Sequence, residues 1–288
     1  MGRFQRSLAL AKESYAVLRA NPQLAWFPVV SSIVTIGLTI SFMLPLYFAA
    51  GGAKGLEKTD HLPPTYYCVL AAFYLCSYFV VIFFNAALVS CAHSGLRGNP
   101  ITFGEGIRAA LARLPAILGW TLVAATVGLI LQMISERSGI IGKIVVAIVG
   151  GAWNLVTFFV VPIIVIEQGS PFAAIKKSGS MLKRTWGENI IGTGGIGLVF
   201  FLLALIPVAP IVFAFITGSV AVILIAIGIS VLYWLVLATI SASLTGIYRT
   251  ALYLYAETGS VPSAYDSDAL QSAFRQGRPN LVNRLRGR

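Results

Sequence analysis

The chain has 288 residues, of which 57% are hydrophobic and 11% charged, with a formal net charge of +11 and a mean hydropathy of +0.84. Soluble domains carry about 25% charged residues, so this composition excludes an ordinary water-soluble fold. From Asn189 to Tyr248 there are 60 residues without one Asp, Glu, Lys or Arg. A soluble helix keeps a polar face, whereas two spans of about 20 apolar residues and a turn account for this run.

The N-terminal stretch is amphipathic and basic. Phe4, Leu8, Ala11, Tyr15 and Leu18 recur at helical spacing, with Arg6, Lys12 and Arg19 off that stripe. The first apolar run begins at Leu24 and is too long for the core of a cleaved signal. Arg6 stands where N-myristoylation needs Ser or Thr. Membrane anchoring is therefore expected from the spans themselves. Apolar runs of about 17–25 residues predict six, at 24–49, 65–92, 115–134, 143–166, 189–206 and 220–248. Residues 207–219 hold Pro207 and Pro210 yet stay apolar over 211–216. They read either as a kinked end of the fifth helix or as a short segment dipping into the outer leaflet.

Seventeen of the 21 Lys and Arg residues fall before span one, between spans two and three, between four and five, or after six. The other side holds Lys54, Lys58, Arg137 and Lys143. The positive-inside rule places both termini in the cytoplasm. Cys68, Cys76 and Cys91 lie in the second span, 8 and 15 residues apart, which suits small buried hydrophobes better than a disulfide or a chelating pair.

The N-terminal pattern recurs before each later pair of spans. Phe103, Ile107, Ala110 and Leu114 form one stripe, with Arg108 and Arg113 off it. Phe172, Ile175, Gly179, Leu182 and Trp186 form another, with Lys176, Lys177, Lys183 and Arg184 off it. Such helices are expected along the inner membrane surface, which makes the chain a threefold elbow-plus-hairpin repeat. The six basic residues Arg108, Arg113, Lys176, Lys177, Lys183 and Arg184 are the candidate anionic-lipid site.

Transport and intramembrane catalysis place ionisable groups within spans, and the span interiors here have none; Glu167, Glu188, Arg249, Lys143 and His93 stand at ends. No H-E-x-x-H, G-x-S-x-G, Walker A or C-x-x-C pattern occurs. No catalytic residue, cofactor or metal is expected. The neutral polar residues Asn85, Gln132 and Asn154 read as interhelical hydrogen-bonding groups, or, if they converge, as a cavity lining. Ala238, Ala242 and Gly246, and the glycines at 192, 194, 195 and 197, read as close-packing positions within the chain ahead of a dimer contact. Pro28, Pro45 and Pro162 near span ends carry little information. Glu167, Trp186, Gly187, Glu188 and Asn189 read as a structural corner: Trp186 at the interface, Gly187 for the bend, Asn189 capping span five and Glu188 at its positive dipole end.

The segments P-F-A-A-I-K-K-S and K-R-T-W-G-E-N, from Pro171 to Asn189, and A-L-Y-L-Y-A-E-T-G-S-V-P, from Ala251 to Pro262, resemble a bacterial integral-membrane family classed only as a domain of unknown function. The elbow-and-hairpin plan is more distantly similar to the membrane portion attached to some glycerophosphodiester phosphodiesterases, whose catalytic domain has no counterpart here. The resemblance implies a bacterial inner-membrane location and six helices, without an activity.

Past Gly259 the composition turns polar, and the last twelve residues hold Arg278, Arg284, Arg286 and Arg288 without an acid. Attraction to anionic lipid suits this spread of charge better than nucleic-acid binding. The sequence thus predicts an all-α membrane domain over residues 1–258 and a basic cytoplasmic tail over 259–288. The expected role is a non-enzymatic scaffold or accessory subunit organising lipids, partner proteins or further copies of itself. The alternative is a carrier or pore for a neutral or lipid-like substrate.

Overall fold

A computed structural model describes residues 3–49, 63–186 and 200–259, with 3–11 and 184–186 described by backbone alone. Among the described residues every regular element is a helix. They are α1 (Arg3–Ala20), a 3-10 turn (Pro22–Ala25), α2 (Trp26–Ala49), α3 (Pro64–Leu96), α4 (Phe103–Ala112), α5 (Leu114–Arg137), α6 (Ile140–Val156), α7 (Val160–Ile166), α8 (Pro171–Trp186), α9 (Val208–Thr217) and α10 (Val220–Thr258). Six segments are long and apolar enough to cross a membrane: Pro22–Ala49, Pro64–Leu96, Leu114–Arg137, Ile140–Ile166, Phe200–Thr217 and Val220–Thr258. The chain is a multi-pass membrane protein, in which an amphipathic helix (α1, α4 or α8) precedes each pair of spans.

Prolines punctuate this order. Pro64 and Pro171 open α3 and α8, and Pro28, Pro115 and Pro162 lie in the first turns of α2, α5 and α7, where a missing N–H costs little. Pro162 also denies the Phe158 carbonyl its helical donor, and the fourth span is interrupted there by a turn at 157–159. The fifth span runs as a helix over 200–204, turns at 205–207 and resumes as α9. Residues 208–217 are therefore the far part of a kinked fifth helix. Gly218, at φ 66°, then lets the chain reverse into α10.

The chain divides into two compact units. Residues 26–90 and 102–179 form one unit. Its buried side chains include Phe27, Ala86 to Val89, Ala110, Ile117, Trp120, Ala125, Phe159, Ile163, Ile164 and Ala174. These lie on the amphipathic helices and on the span ends next to them. At the other ends Ile40, Phe48, Met133, Ile140 and Ile148 are exposed. Phe27 stacks on Phe103 with ring centroids 4.7 Å apart, tying the start of α2 to α4.

The other unit holds residues 1–25, 91–101 and the chain from 180 onward. Here α1 and the 3-10 turn pack on α10, as does α9. Leu24, Ala92, Ile247, Ala251, Leu252 and Tyr253 are wholly buried, whereas Leu224, Ile229 and Leu232 in the first half of α10 are about two-thirds exposed. At 39 residues and 1.5 Å per residue, α10 is about 58 Å long, nearly twice the roughly 30 Å of a hydrocarbon core. Its first half suffices to span and meets the fifth span along one side, where Ser230 and Ala214 are buried, and its second half is the more deeply packed.

Two expectations about small side chains shift accordingly. Gly246 is buried but Ala238 and Ala242 are exposed, so among the described residues only the Gly246 end of that row packs within the chain. Cys91 is buried, Cys76 half-buried and Cys68 exposed, all as free thiols; Cys68 is no core hydrophobe because it lies on the outward side of the first turns of α3.

Leu252→Ala removes a wholly buried side chain and is expected to cost about 2 kcal/mol or more. Leu224→Ala, on the exposed half of the same helix, is expected to stay within about 0.5 kcal/mol. Thermal unfolding of both variants in one detergent checks the order, and equal losses would place the core elsewhere.

Candidate membrane-surface site

The three amphipathic helices differ in what they cover. In α4 the expected stripe is the inward one: Ala110 is buried, and Phe103, Ile107 and Leu114 are half-buried. Arg108 is exposed and Arg113 half-buried. A reciprocal cap fixes the start of α4, with the Glu105 N–H donating to the Thr102 hydroxyl at 3.3 Å and the Thr102 N–H donating to the Glu105 carboxylate at 3.1 Å. Arg113 ends α4 and precedes α5; its N–H donates to the Ala110 carbonyl at 3.0 Å.

In α1 the buried residues are Ser14, Val17 and Leu18, which fits its packing on α10. Tyr15, expected on the apolar stripe, is 52% exposed. Ser14 replaces it because a small residue allows the two helices to approach closely. The side chains of Phe4, Leu8 and Ala11 lie outside those described.

The stripe of α8 rotates more. Ala174, Ser178, Met181 and Leu182 are buried, while Phe172 is 73% exposed. At 3.6 residues per turn, Phe172, Lys176 and Lys183 lie within about 40° of one another on one face, and both lysines are exposed. The aromatic ring thus shares a face with the lysines instead of opposing them. Lys177 turns to another side and pairs with Glu167, so it is not a free cation. The Arg184 and Trp186 side chains, and Gly187, Glu188 and Asn189, lie outside the described residues, as do the glycines at 192–197.

Glu167 ends α7, and Gln168 beside it adopts a left-handed φ of 63°. Asn and Asp tolerate that region better than Gln, so the corner carries strain, and the Lys177–Glu167 pair spans it. The turn at 157–159 has its own support. The Phe159 N–H donates to the hydroxyl of Ser178, a fully buried residue of α8, at 3.0 Å. Sequence reasoning included Ser178 in a motif without assigning it a role; a lone Ser opposite a proline-broken span carries no local signal for it.

The neutral polar candidates do not meet in a cavity. Asn85 is half-buried, but Asn154 is exposed and the exposed Gln132 amide donates to Glu136 on its own helix at 2.9 Å. Polar contacts between spans are made instead by aromatic side chains: the Tyr233 hydroxyl and the Trp234 indole N–H on the sixth span donate to the Leu203 and Ala204 carbonyls of the fifth, each at 2.9 Å, and a tyrosine pair joins the second span to the third. Tyr74 and Tyr78 have centroids 4.7 Å apart, and the Tyr74 hydroxyl donates to the Ala125 carbonyl at 3.4 Å. A Cβ at Gly128 would meet the Tyr74 oxygen at 2.8 Å, so glycine makes the room for this pair. Among the described residues no three His, Cys, Asp or Glu side chains come together in a metal-binding group.

Ser178→Val removes the acceptor for the Phe159 N–H and adds the volume of one methyl group, as Ser178→Thr also does. It is expected to cost about 1–3 kcal/mol, the range for a buried donor left unpaired. Ser178→Thr, which retains the hydroxyl, is the matched control in thermal unfolding. Equal stability of the Val variant and the parent would mean that the turn at 157–159 holds without α8.

No curated protein and no solved structure matches this chain. A family model does, over residues 64–263, from the first turn of α3 to just beyond α10. With all but the first of its three elbow helices and the first of its six spans inside that match, the chain belongs to the family of unknown function DUF6159.

Proposed function

We propose that the protein is a non-catalytic scaffold of the bacterial inner membrane that organises anionic lipid through its elbow helices. The observation that carries this reading is the exposed face of α8, where Phe172 stands beside Lys176 and Lys183. A phenyl ring that enters the acyl boundary while two ammonium groups meet phosphates is the arrangement expected of an interfacial helix. Arg108 adds an exposed cation on α4. Both termini are assigned to the cytoplasm, the side on which seventeen of the 21 basic residues then face the anionic leaflet.

The basic residues do not contribute equally. Lys177 is engaged by Glu167, which leaves Lys176 and Lys183 as the described lysines of α8 available to headgroups. At about 1 kcal/mol each near an anionic surface, they supply about 2 kcal/mol before salt screening.

Anionic phospholipid should therefore raise the thermal stability of the purified protein more than zwitterionic phospholipid does. Lys176→Gln with Lys183→Gln should remove most of that difference, and Lys177→Gln should remove little of it. A double variant that keeps the full preference would rule out lipid binding by α8. Orientation is checked separately: in a background without the native cysteines, a membrane-impermeant thiol reagent applied to intact cells should label Ser138→Cys and not Lys177→Cys. The reverse pattern would turn the elbow helices to the outer face.

A further inference from the structure

Within the unit formed by residues 26–90 and 102–179, a cavity of about 360 Å³ lies between the end of α2 and the start of α3. Ser41, Phe42 and Pro45 line it from α2, and Thr65, Tyr66 and Val69 from α3. Among the described residues Pro45 is the proline set inside a helix. It cannot donate to the Ser41 carbonyl one turn back, and the space opens beside that missing hydrogen bond.

Water is a poor filler. It needs two to four polar partners at each position, and the named walls offer three hydroxyls among apolar side chains. The space is an open groove, and its lining atoms gain dispersion contacts only from something that enters it. Both walls belong to membrane-spanning segments, and next to them Leu44, Tyr47, Phe48 and Tyr67 are exposed. The cavity is thus continuous with the surface that faces hydrocarbon. We propose that it holds one acyl chain of a phospholipid from the surrounding bilayer. The proposal depends on membrane insertion and not on headgroup binding by α8.

The test uses the full chain in vesicles of phosphatidylcholine, a zwitterionic lipid, doped with a phosphatidylcholine that carries a diazirine on one acyl chain. After illumination, adducts are mapped by peptide mass spectrometry. Adducts on residues 41–49 and 65–69 should exceed, several-fold per residue, those on the exposed α10 face around Leu224, Ile225 and Leu232. Thr65→Leu with Val69→Phe, which fills the space from α3, should lower them to the α10 level, and Ser41→Leu from α2 should do the same. Labelling that matches the α10 face in the parent, or that persists in whichever filled variants still fold by thermal melting, would overturn the proposal. Because no anionic lipid is present, failure here leaves the α8 reading untouched, and loss of the anionic preference there leaves this one untouched.

Discussion

Apolar helices in a bilayer have little reason to leave lipid for one another, since acyl chains are as apolar as their own side chains. That constraint decides where this molecule is packed. In the unit of residues 26–90 and 102–179 the wholly buried positions gather beside the amphipathic helices, and many are small: Ala86, Ala87, Ala110, Ala125, Ala174 and Ser178. Small residues let backbones approach, so dispersion and hydrogen bonds replace the missing hydrophobic drive. The far ends of the same spans leave Ile, Leu, Val and Phe side chains exposed, as expected of surfaces solvated by hydrocarbon. The elbow helices are thus structural first, and the outer faces of α4 and α8 stay exposed.

A backbone interrupted within a membrane span needs its own hydrogen bonds. The turn at 157–159 obtains them partly from itself, the Thr157 N–H donating to the Trp153 carbonyl at 2.9 Å and the Val160 N–H to the Thr157 carbonyl at 3.1 Å. Ser178 supplies the acceptor for Phe159. The helix that offers lysines to the surface is therefore the one that closes the broken span, and the Glu167–Lys177 pair at the adjoining corner couples the two elements again. Displacing α8 would expose an N–H in a place where lipid offers no replacement.

Six spans, three elbows and the interruption around Pro207 were legible because each depends on local pattern: hydropathy, helical spacing, proline. The exposed face of α8 was not. Phe172, Ile175 and Gly179 make a fair apolar stripe on paper, but Ser178 and Ala174 are small enough to sit against the neighbouring backbone, and that contact rotates the helix until Phe172 faces outward. The same competition put Ser14 inside and Tyr15 outside in α1. Gln132 looked like a polar lining until Glu136, one turn on, offered its amide a nearer partner. Pro45 read as an unremarkable membrane proline because its effect depends on what α3 places opposite it. In each case the deciding term is a tertiary contact, which periodicity does not encode.

The pairing of α1 with the second half of α10 sets the order in which the protein can be finished. About 225 residues separate Leu18 from Ser243, and at roughly 5–20 residues per second the ribosome needs about 11–45 s to cover that distance. Throughout that interval Ser14, Val17 and Leu18 lack the surface that buries them, and α1 must wait on the membrane face as a peripheral amphipathic segment. The unit built on α10 is thus assembled last, from the two extremes of the described chain. A chain released before residue 243 would leave the first elbow without its cover, in the state that cellular quality control recognises by exposed apolar surface.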